Sequence, residues 1–232
     1  MLHITILSPL KAEPDDLARR QRRYQAQAGA DTSVTVHNLA GGPAALNSSG
    51  DILVSAAAIY EQARALDHAV ADALLVDCVF DPAVAELQEA TGLPVFGPTR
   101  ATLPLIELVA PNFGLIARTQ RQCELLQALI EGYGYGDRLC SVRALDISYP
   151  EAKQPAIFER VMADRLRAAM EEDGAQAILL GSTTMAVSDR MRDAAGATPL
   201  FMPGMVTVGL IETLHAAGLL TRATAALATG SA

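Results

Sequence analysis

The sequence has no tryptophan, and only 4% of its 232 residues are aromatic, so any core must be built mainly from Ala, Leu, Val and Ile. It also lacks an uninterrupted apolar run of about 18 residues, the length a membrane-spanning helix needs. No basic region followed by an apolar segment and a cleavage site stands at the N-terminus. The expectation is a soluble, cytoplasmic protein with no membrane partner. Lysine is nearly missing: Lys11 and Lys153 are the two lysines among 18 basic residues, and the rest are arginines, whose planar fork suits carboxylates. With 26 acidic residues and a net charge of -8, the chain lacks the basic surface that a phosphate backbone requires, which argues against nucleic acid. Three cysteines, Cys78, Cys123 and Cys140, fit neither a disulfide framework nor a CxxC metal spacing. His37, His68 and His215 have no metal spacing either, so no metal site is expected.

What is present is a repeated alternation of short β-rich runs and amphipathic helical stretches. His3 to Leu7, Ser33 to His37, Ala73 to Val76 and Leu93 to Phe96 read as strands, with helices expected over Pro14 to Gly29, Ile59 to Val70, Pro82 to Thr91 and Thr99 to Val109. From Pro111 the pattern starts again. Strands are expected at Asn112 to Ala117, Leu139 to Leu145, Ala177 to Gly181 and Thr198 to Phe201. The intervening helices are Thr119 to Ile130, a long one after Pro150 to about Glu172, and one capped by Ser182-Thr183-Thr184 running through Ala194. Closing helices begin at Val206. Between the second strand and the next helix lies a loop of small and polar residues, Gly41-Gly42-Pro43 through Asn47-Ser48-Ser49-Gly50.

The two halves also match each other. Ala73-Leu74-Leu75-Val76-Asp77-Cys78 lines up with Ala177-Ile178-Leu179-Leu180-Gly181-Ser182 at the same separation as Gly92 from Gly196, and Pro94-Val95-Phe96 follows as Pro199-Leu200-Phe201. We read an α/β protein of two pseudo-symmetric halves, each a flavodoxin-like parallel sheet flanked by helices, with the active site in the cleft between them. The expected lobes are residues 1–98 plus 206–232, and residues 99–205.

This arrangement directs attention to Cys78. It ends an apolar run and precedes Asp81-Pro82, which reads as the N-cap and first residue of a helix. A thiol at the carboxyl end of a parallel strand, near a helix N-terminus, lies where open α/β sheets bind ligands and where the thiolate is favoured. The repeat places Ser182 opposite it. Two groups on opposite walls can remove a proton from one face of a carbon and return it to the other. Cys123 and Cys140 are expected to pack in the core. Asp77 should point away from the thiol if the strand continues through it, and is placed to orient the thiol if the strand has ended.

Nearly the whole chain resembles the aspartate/glutamate/hydantoin racemase superfamily, and most closely its hydantoin racemase-like branch. The resemblance rests on Gly41-Gly42-Pro43-Ala44, Cys78-Val79-Phe80-Asp81-Pro82, Pro94-Val95-Phe96-Gly97, and Glu172-Asp173-Gly174-Ala175 before Leu180-Gly181-Ser182-Thr183-Thr184-Met185. It implies catalysis by two strand-end cysteines without cofactor or metal, with backbone amides holding the substrate. Cys78 is the first of these positions; Ser182 stands at the second. The resemblance further implies substrate contacts from Ser8, Pro9, Pro43, Val79, Phe80, Arg118, Thr119, Thr183 and Thr184, and a small carboxylate or hydantoin as partner in a homo-oligomer. Ser8-Pro9-Leu10 replaces the family's Asn-Pro-Asn type turn, and Ala117-Arg118-Thr119 carries an arginine that can grip a carboxylate. Three functions stay open: a racemase or epimerase of an amino acid, hydantoin or ureide; a maleate-type cis-trans isomerase or a decarboxylase working with one cysteine; and a non-catalytic binder of small carboxylates.

Overall fold

The computed structural model describes residues 1–67, 70–152 and 154–222. His68, Lys153 and the stretch 223–232, expected in the first lobe, lie outside the described residues. In the first half, strand β1 (Leu2–Leu7) leads through helix α1 (Pro14–Gln27), β2 (Thr32–His37), α2 (Ser49–Arg64), β3 (Ala73–Val76), α3 (Val84–Thr91) and β4 (Val95–Phe96) to α4 (Pro98–Val109). The second half repeats this with β5 (Phe113–Ala117), α5 (Gln120–Gly132), β6 (Leu139–Ala144), α6 (Tyr149–Ala152), α7 (Pro155–Glu171), β7 (Ile178–Leu180), α8 (Asp189–Ala195), β8 (Leu200–Phe201) and α9 (Pro203–Ala216).

Each half holds one four-stranded parallel sheet, in the orders β2-β1-β3-β4 and β6-β5-β7-β8. The repeat extends to register. Thr5 pairs with Leu74, and Leu74 with Val95; in the second sheet Gly114 pairs with Ile178, and Ile178 with Leu200. Beyond the last paired residues, Asp77 N–H donates to the Leu7 carbonyl at 2.9 Å and Gly181 N–H to the Ile116 carbonyl at 2.8 Å. The chain therefore leaves its two sheets at equivalent points, one residue before Cys78 and one before Ser182.

Side chains of β3, β5 and β7 alternate between the two faces of their sheets and are buried on both, as parallel strands under helices require. Ile4, Ile6, Ala73 and Leu75 pack under α1 and α9 with Tyr24, Met205, Val208 and Ile211. The opposite face contributes Leu74 and Val76 to a core that continues through Leu103 and Ile106 of α4 into Phe113, Leu115, Leu126 and Leu179 of the second half. The far face of the second sheet, with Ile116, Ile178 and Leu180, is covered by Met162 and Leu166 of α7 and Met191 of α8. One apolar layer thus belongs to both halves.

Several sequence-based boundaries shift for identifiable reasons. Helix α2 begins ten residues earlier than its apolar periodicity suggests, because Ser48 caps it by accepting from Asp51 N–H at 3.1 Å; it ends at Arg64 rather than Val70. Ser182-Thr183-Thr184 does not cap a helix. The helix there, α8, starts at Asp189 with Ser188 as N-cap. Cys140, expected in the core, is exposed, while Cys123 is buried.

Gly181 is required by its surroundings. A Cβ there would lie 2.7 Å from Ala117 Cβ, 2.9 Å from Leu126 Cδ1 and 3.0 Å from the Ala117 Cα. Overpacking against backbone is not relieved by a rotamer change, so Gly181→Ala should lower folding stability by about 1–3 kcal/mol. A urea unfolding midpoint below that of the unmodified protein is the expected outcome.

Candidate active site

Cys78 sits in a tight turn rather than at a helix entrance. Its N–H donates back to the Val76 carbonyl at 2.7 Å, and its carbonyl accepts from Asp81 N–H at 3.1 Å. Asp81 (φ 48°) and Ala83 (φ 59°) both adopt left-handed backbone, which non-glycine residues seldom do. These two turns flank Pro82 and carry the chain past Pro82 before α3 can start at Val84. The expectation that Asp81 caps α3 and that Pro82 opens it is therefore corrected.

Asp81 caps a different helix. Its carboxylate accepts from Thr99 N–H at 3.1 Å and Arg100 N–H at 2.7 Å, the first turn of α4, and from the Tyr133 hydroxyl at 3.1 Å. The N-cap position of α4 is Gly97, where a Cβ would lie 2.4 Å from Asp81 Cγ. Absence of a side chain at the cap makes room for a carboxylate from elsewhere.

The two strand-end turns are alike in one further respect. The Phe80 backbone N–H lowers the Cys78 thiol pKa, and Thr184 N–H donates to Ser182 Oγ at 3.3 Å, so the N–H two residues on acts on the strand-end side chain in both halves. They also touch. Thr183 Oγ1 donates to the Asp77 carbonyl at 3.3 Å, joining the turn of Ser182 to the turn of Cys78. On the serine side, Ser182 Oγ lies 2.9 Å from Thr184 Oγ1, which accepts from Arg118 Nη2 at 3.4 Å.

The structure thus gathers Cys78, Val79, Phe80, Arg118, Ser182, Thr183 and Thr184 at facing strand ends. Other expected contact residues spend their polar groups locally. Ser8 is fully buried, its hydroxyl donating to the Leu10 carbonyl at 2.8 Å, and the Pro9 carbonyl accepts from Ser55 Oγ of α2 at 2.7 Å. Thr119 caps α5 by accepting from Gln122 N–H at 3.2 Å. Pro43 stands half-buried on the loop before α2, and that loop is fastened to the second half by Gln122 Nε2 donating to the Leu46 carbonyl at 3.2 Å.

Electrostatics at Cys78 oppose the simple expectation of a thiolate. Burial pushes the thiol pKa up strongly, the Phe80 N–H pulls it down, the Asp81 and Asp77 carboxylates raise it, and Arg20 lowers it; the raising effects win. Cys78 rests as a thiol at neutral pH. Asp77 points to the opposite face of the sheet, although β3 ends one residue before it, at Val76. There it is buried, with Oδ2 2.5 Å from Arg20 Nη1 and Oδ1 accepting from the Tyr24 hydroxyl at 2.5 Å. Arg20 also bonds Asp16, and Arg23 Nη2 donates to the Met185 carbonyl at 2.9 Å in the serine-side loop. Sequence reasoning passed over these α1 residues. The available signal was a carboxylate at a strand end where the other half has glycine. Among the described residues, no group of three or more His, Cys, Asp or Glu could hold a metal ion, and no helix is long and apolar enough to cross a membrane.

Two parallel-sheet halves that present a thiol and a hydroxyl from equivalent strand ends define the protein as a member of the two-lobed α/β fold found among racemases. Allantoin racemase from Pseudomonas fluorescens has this fold, with a TM-score of 0.86 at 20% identity over 97% of this chain and 95% of that one. So has unliganded arylmalonate decarboxylase, at TM-score 0.63 and 19% identity over 97% and 96% of the respective chains. Residues 17–211 match the model of the Asp/Glu/hydantoin racemase family, and the chain belongs to that family. Hydantoin racemase from Rhizobium meliloti is 27% identical over 194 residues, spanning 83% of this chain and 80% of the relative.

Burial raises the Asp81 carboxyl to about 7, its three hydrogen-bond donors notwithstanding, against an ordinary value of 3.8. Between those values the folded protein holds a proton that the unfolded chain has released, so Asp81 makes folding stability fall as pH rises from about 4 to about 7. Asp81→Asn should remove this slope. Urea midpoints of the two proteins, compared at about pH 5 and about pH 7.5, provide the measurement, with the unmodified protein losing more stability than the variant.

Proposed function

We propose that the protein is a cofactor-independent racemase or epimerase of a small carbon acid, a hydantoin, related cyclic ureide or amino acid whose acidic C–H adjoins a carbonyl. The supporting observation is the equivalent presentation of Cys78 and Ser182, each one residue past the last backbone bond to its sheet, from strand ends joined by the Thr183 to Asp77 contact. The family and its hydantoin racemase relatives support the same reading.

Cys78 as thiolate takes the proton, and the enolate-like charge that develops on the substrate is stabilised by hydrogen-bond donors around the two turns. Ser182 delivers a proton to the other face. A hydroxyl is a weaker acid than a thiol, but here it is linked through Thr184 Oγ1 to the Arg118 guanidinium, which eases the charge left on the oxygen. Arg118 also supplies a fixed positive group for a substrate carboxylate.

Because the thiolate is the minor form at neutral pH, racemisation should speed up as pH rises from neutral into the alkaline range. Deuterium wash-in at the stereocentre, followed by NMR for each enantiomer, tests the assignment. Cys78→Ala should reduce exchange by about a hundredfold or more, Ser182→Ala should retain exchange into one enantiomer while losing interconversion, and Ser182→Cys should accelerate interconversion. No exchange in either enantiomer across hydantoins and amino acids would sink the reading.

A second reading, decarboxylation of a small dicarboxylate, is supported by the fold likeness to arylmalonate decarboxylase, and burial, which raises the Cys78 thiol, suits it to donate a proton. In that case the rate is flat through neutral pH and falls on the alkaline side, and CO₂ is released. A maleate-type isomerase and a non-catalytic binder have no such support.

A further inference from the structure

The buried ion pair behind Cys78 has a counterpart in the other half that carries no charge. Arg20 is the seventh residue after the N-cap of α1, Glu13, and Leu126 is the seventh after the N-cap of α5, Thr119. Asp77 and Gly181 are likewise equivalent, each donating its N–H to the central strand of its sheet. In the second half this helix-to-strand-end contact is Leu126 over Gly181, where a Cβ would lie 2.9 Å from Leu126 Cδ1. In the first half it is Arg20 on Asp77, with Tyr24 on the other carboxylate oxygen. The same fold position is satisfied by apolar packing once and by a desolvated charge network once. Burying such a pair seldom stabilises a protein more than apolar groups of similar size, so the fold alone does not account for it.

The network is tied to the site at several points. Asp77 precedes Cys78, and its carbonyl accepts from Thr183. Tyr24 reaches Asp77 because Gly204, in the first turn of α9, has no side chain: a Cβ there would lie 2.3 Å from the Tyr24 hydroxyl. Three residues from Arg20 on α1, Arg23 holds the Met185 carbonyl of the serine-side loop. One helix therefore grips both turns.

We propose that Asp77, Arg20 and Tyr24 are positioning residues for Cys78, fixing the turn that aims the thiol and setting how readily it ionises. Its catalytic consequence rests on the proposed proton transfer by Cys78; the arrangement itself does not. The charged groups acting on the thiol are Asp77, Asp81 and Arg20, and those acting on Asp77 are Arg20, Arg23 and the Tyr24 hydroxyl.

The test follows Cys78 alkylation by iodoacetamide at about pH 8, with peptide mapping, in a Cys140→Ser background, since reaction rate follows the thiolate fraction. Asp77→Asn leaves Arg20 beside the turn and should speed alkylation about threefold or more; Arg20→Gln leaves Asp77 and should slow it about threefold or more. A loosened turn would speed both, so both faster, or neither changed, overturns the proposal. The double variant Arg20→Leu with Asp77→Gly installs the second half's own pair and serves as the folded reference should Arg20→Gln not fold. It is expected to lower kcat for deuterium exchange by about tenfold or more with KM nearly kept; an unchanged kcat overturns the proposal. If the unmodified protein exchanges no deuterium, the proton-transfer reading has failed, and the single-variant alkylation rates still decide whether the network controls the thiol.

Discussion

Two backbone hydrogen bonds, Asp77 N–H to Leu7 and Gly181 N–H to Ile116, decide where the chain leaves each sheet, and most of the site's geometry depends on that point. Because side chains alternate along a strand, one residue more or less in the paired segment would exchange the faces that Asp77 and Cys78 serve. With the observed register, residue 77 turns to α1 and residue 78 joins the core shared by the two halves. The second half repeats the register, so Ser182 arrives at the equivalent place. Thr183 then closes the gap with one side-chain hydrogen bond.

The halves differ in what they place at these equivalent points. On the serine side the strand end is closed by small and apolar groups, Gly181 and Leu126, and the polar atoms face forward, from Ser182 through Thr184 to Arg118. On the cysteine side the thiol is surrounded by apolar side chains, with two carboxylates near it, Asp77 behind and Asp81 along the turn. Asp81 is held by the first turn of α4 and by Tyr133 from the second half, so it joins the thiol's turn to both halves. The balance of burial, carboxylates, one guanidinium and one N–H leaves Cys78 a thiol at rest. A symmetric fold thus carries different side chains, a thiol and a hydroxyl, at its two equivalent strand ends.

Much of the scaffold was readable in one dimension. Strands β3, β5 and β7 are continuous apolar runs, and helices α1, α4 and α7 show their periodicity or their opening prolines, because these signals are local. The repeat was readable too, through Gly92 and Gly196 and the matching Pro and Phe residues. Less accessible were the segments whose hydrogen bonds go to distant partners. Asp81-Pro82 has the form of a helix start, yet Asp81 caps α4, because Gly97 lies beside it only in the folded chain. Ser182-Thr183-Thr184 has the same form and instead spends its polar groups on Asp77, Arg118 and its own turn.

Residue order alone determined that this is a two-halved parallel α/β chain with Cys78 and Ser182 at matching strand ends, since strand pattern, turn chemistry and repetition are properties of neighbours along the chain. Tertiary structure decided the rest of the site. Which atoms face Cys78, whether burial or a helix end controls its ionisation, and that Arg20 and Tyr24 stand behind it all depend on groups tens of residues apart. Their distances are set by how helices pack on sheets, and no local pattern records them. The thiol's position belonged to the sequence; its charge state belonged to the fold.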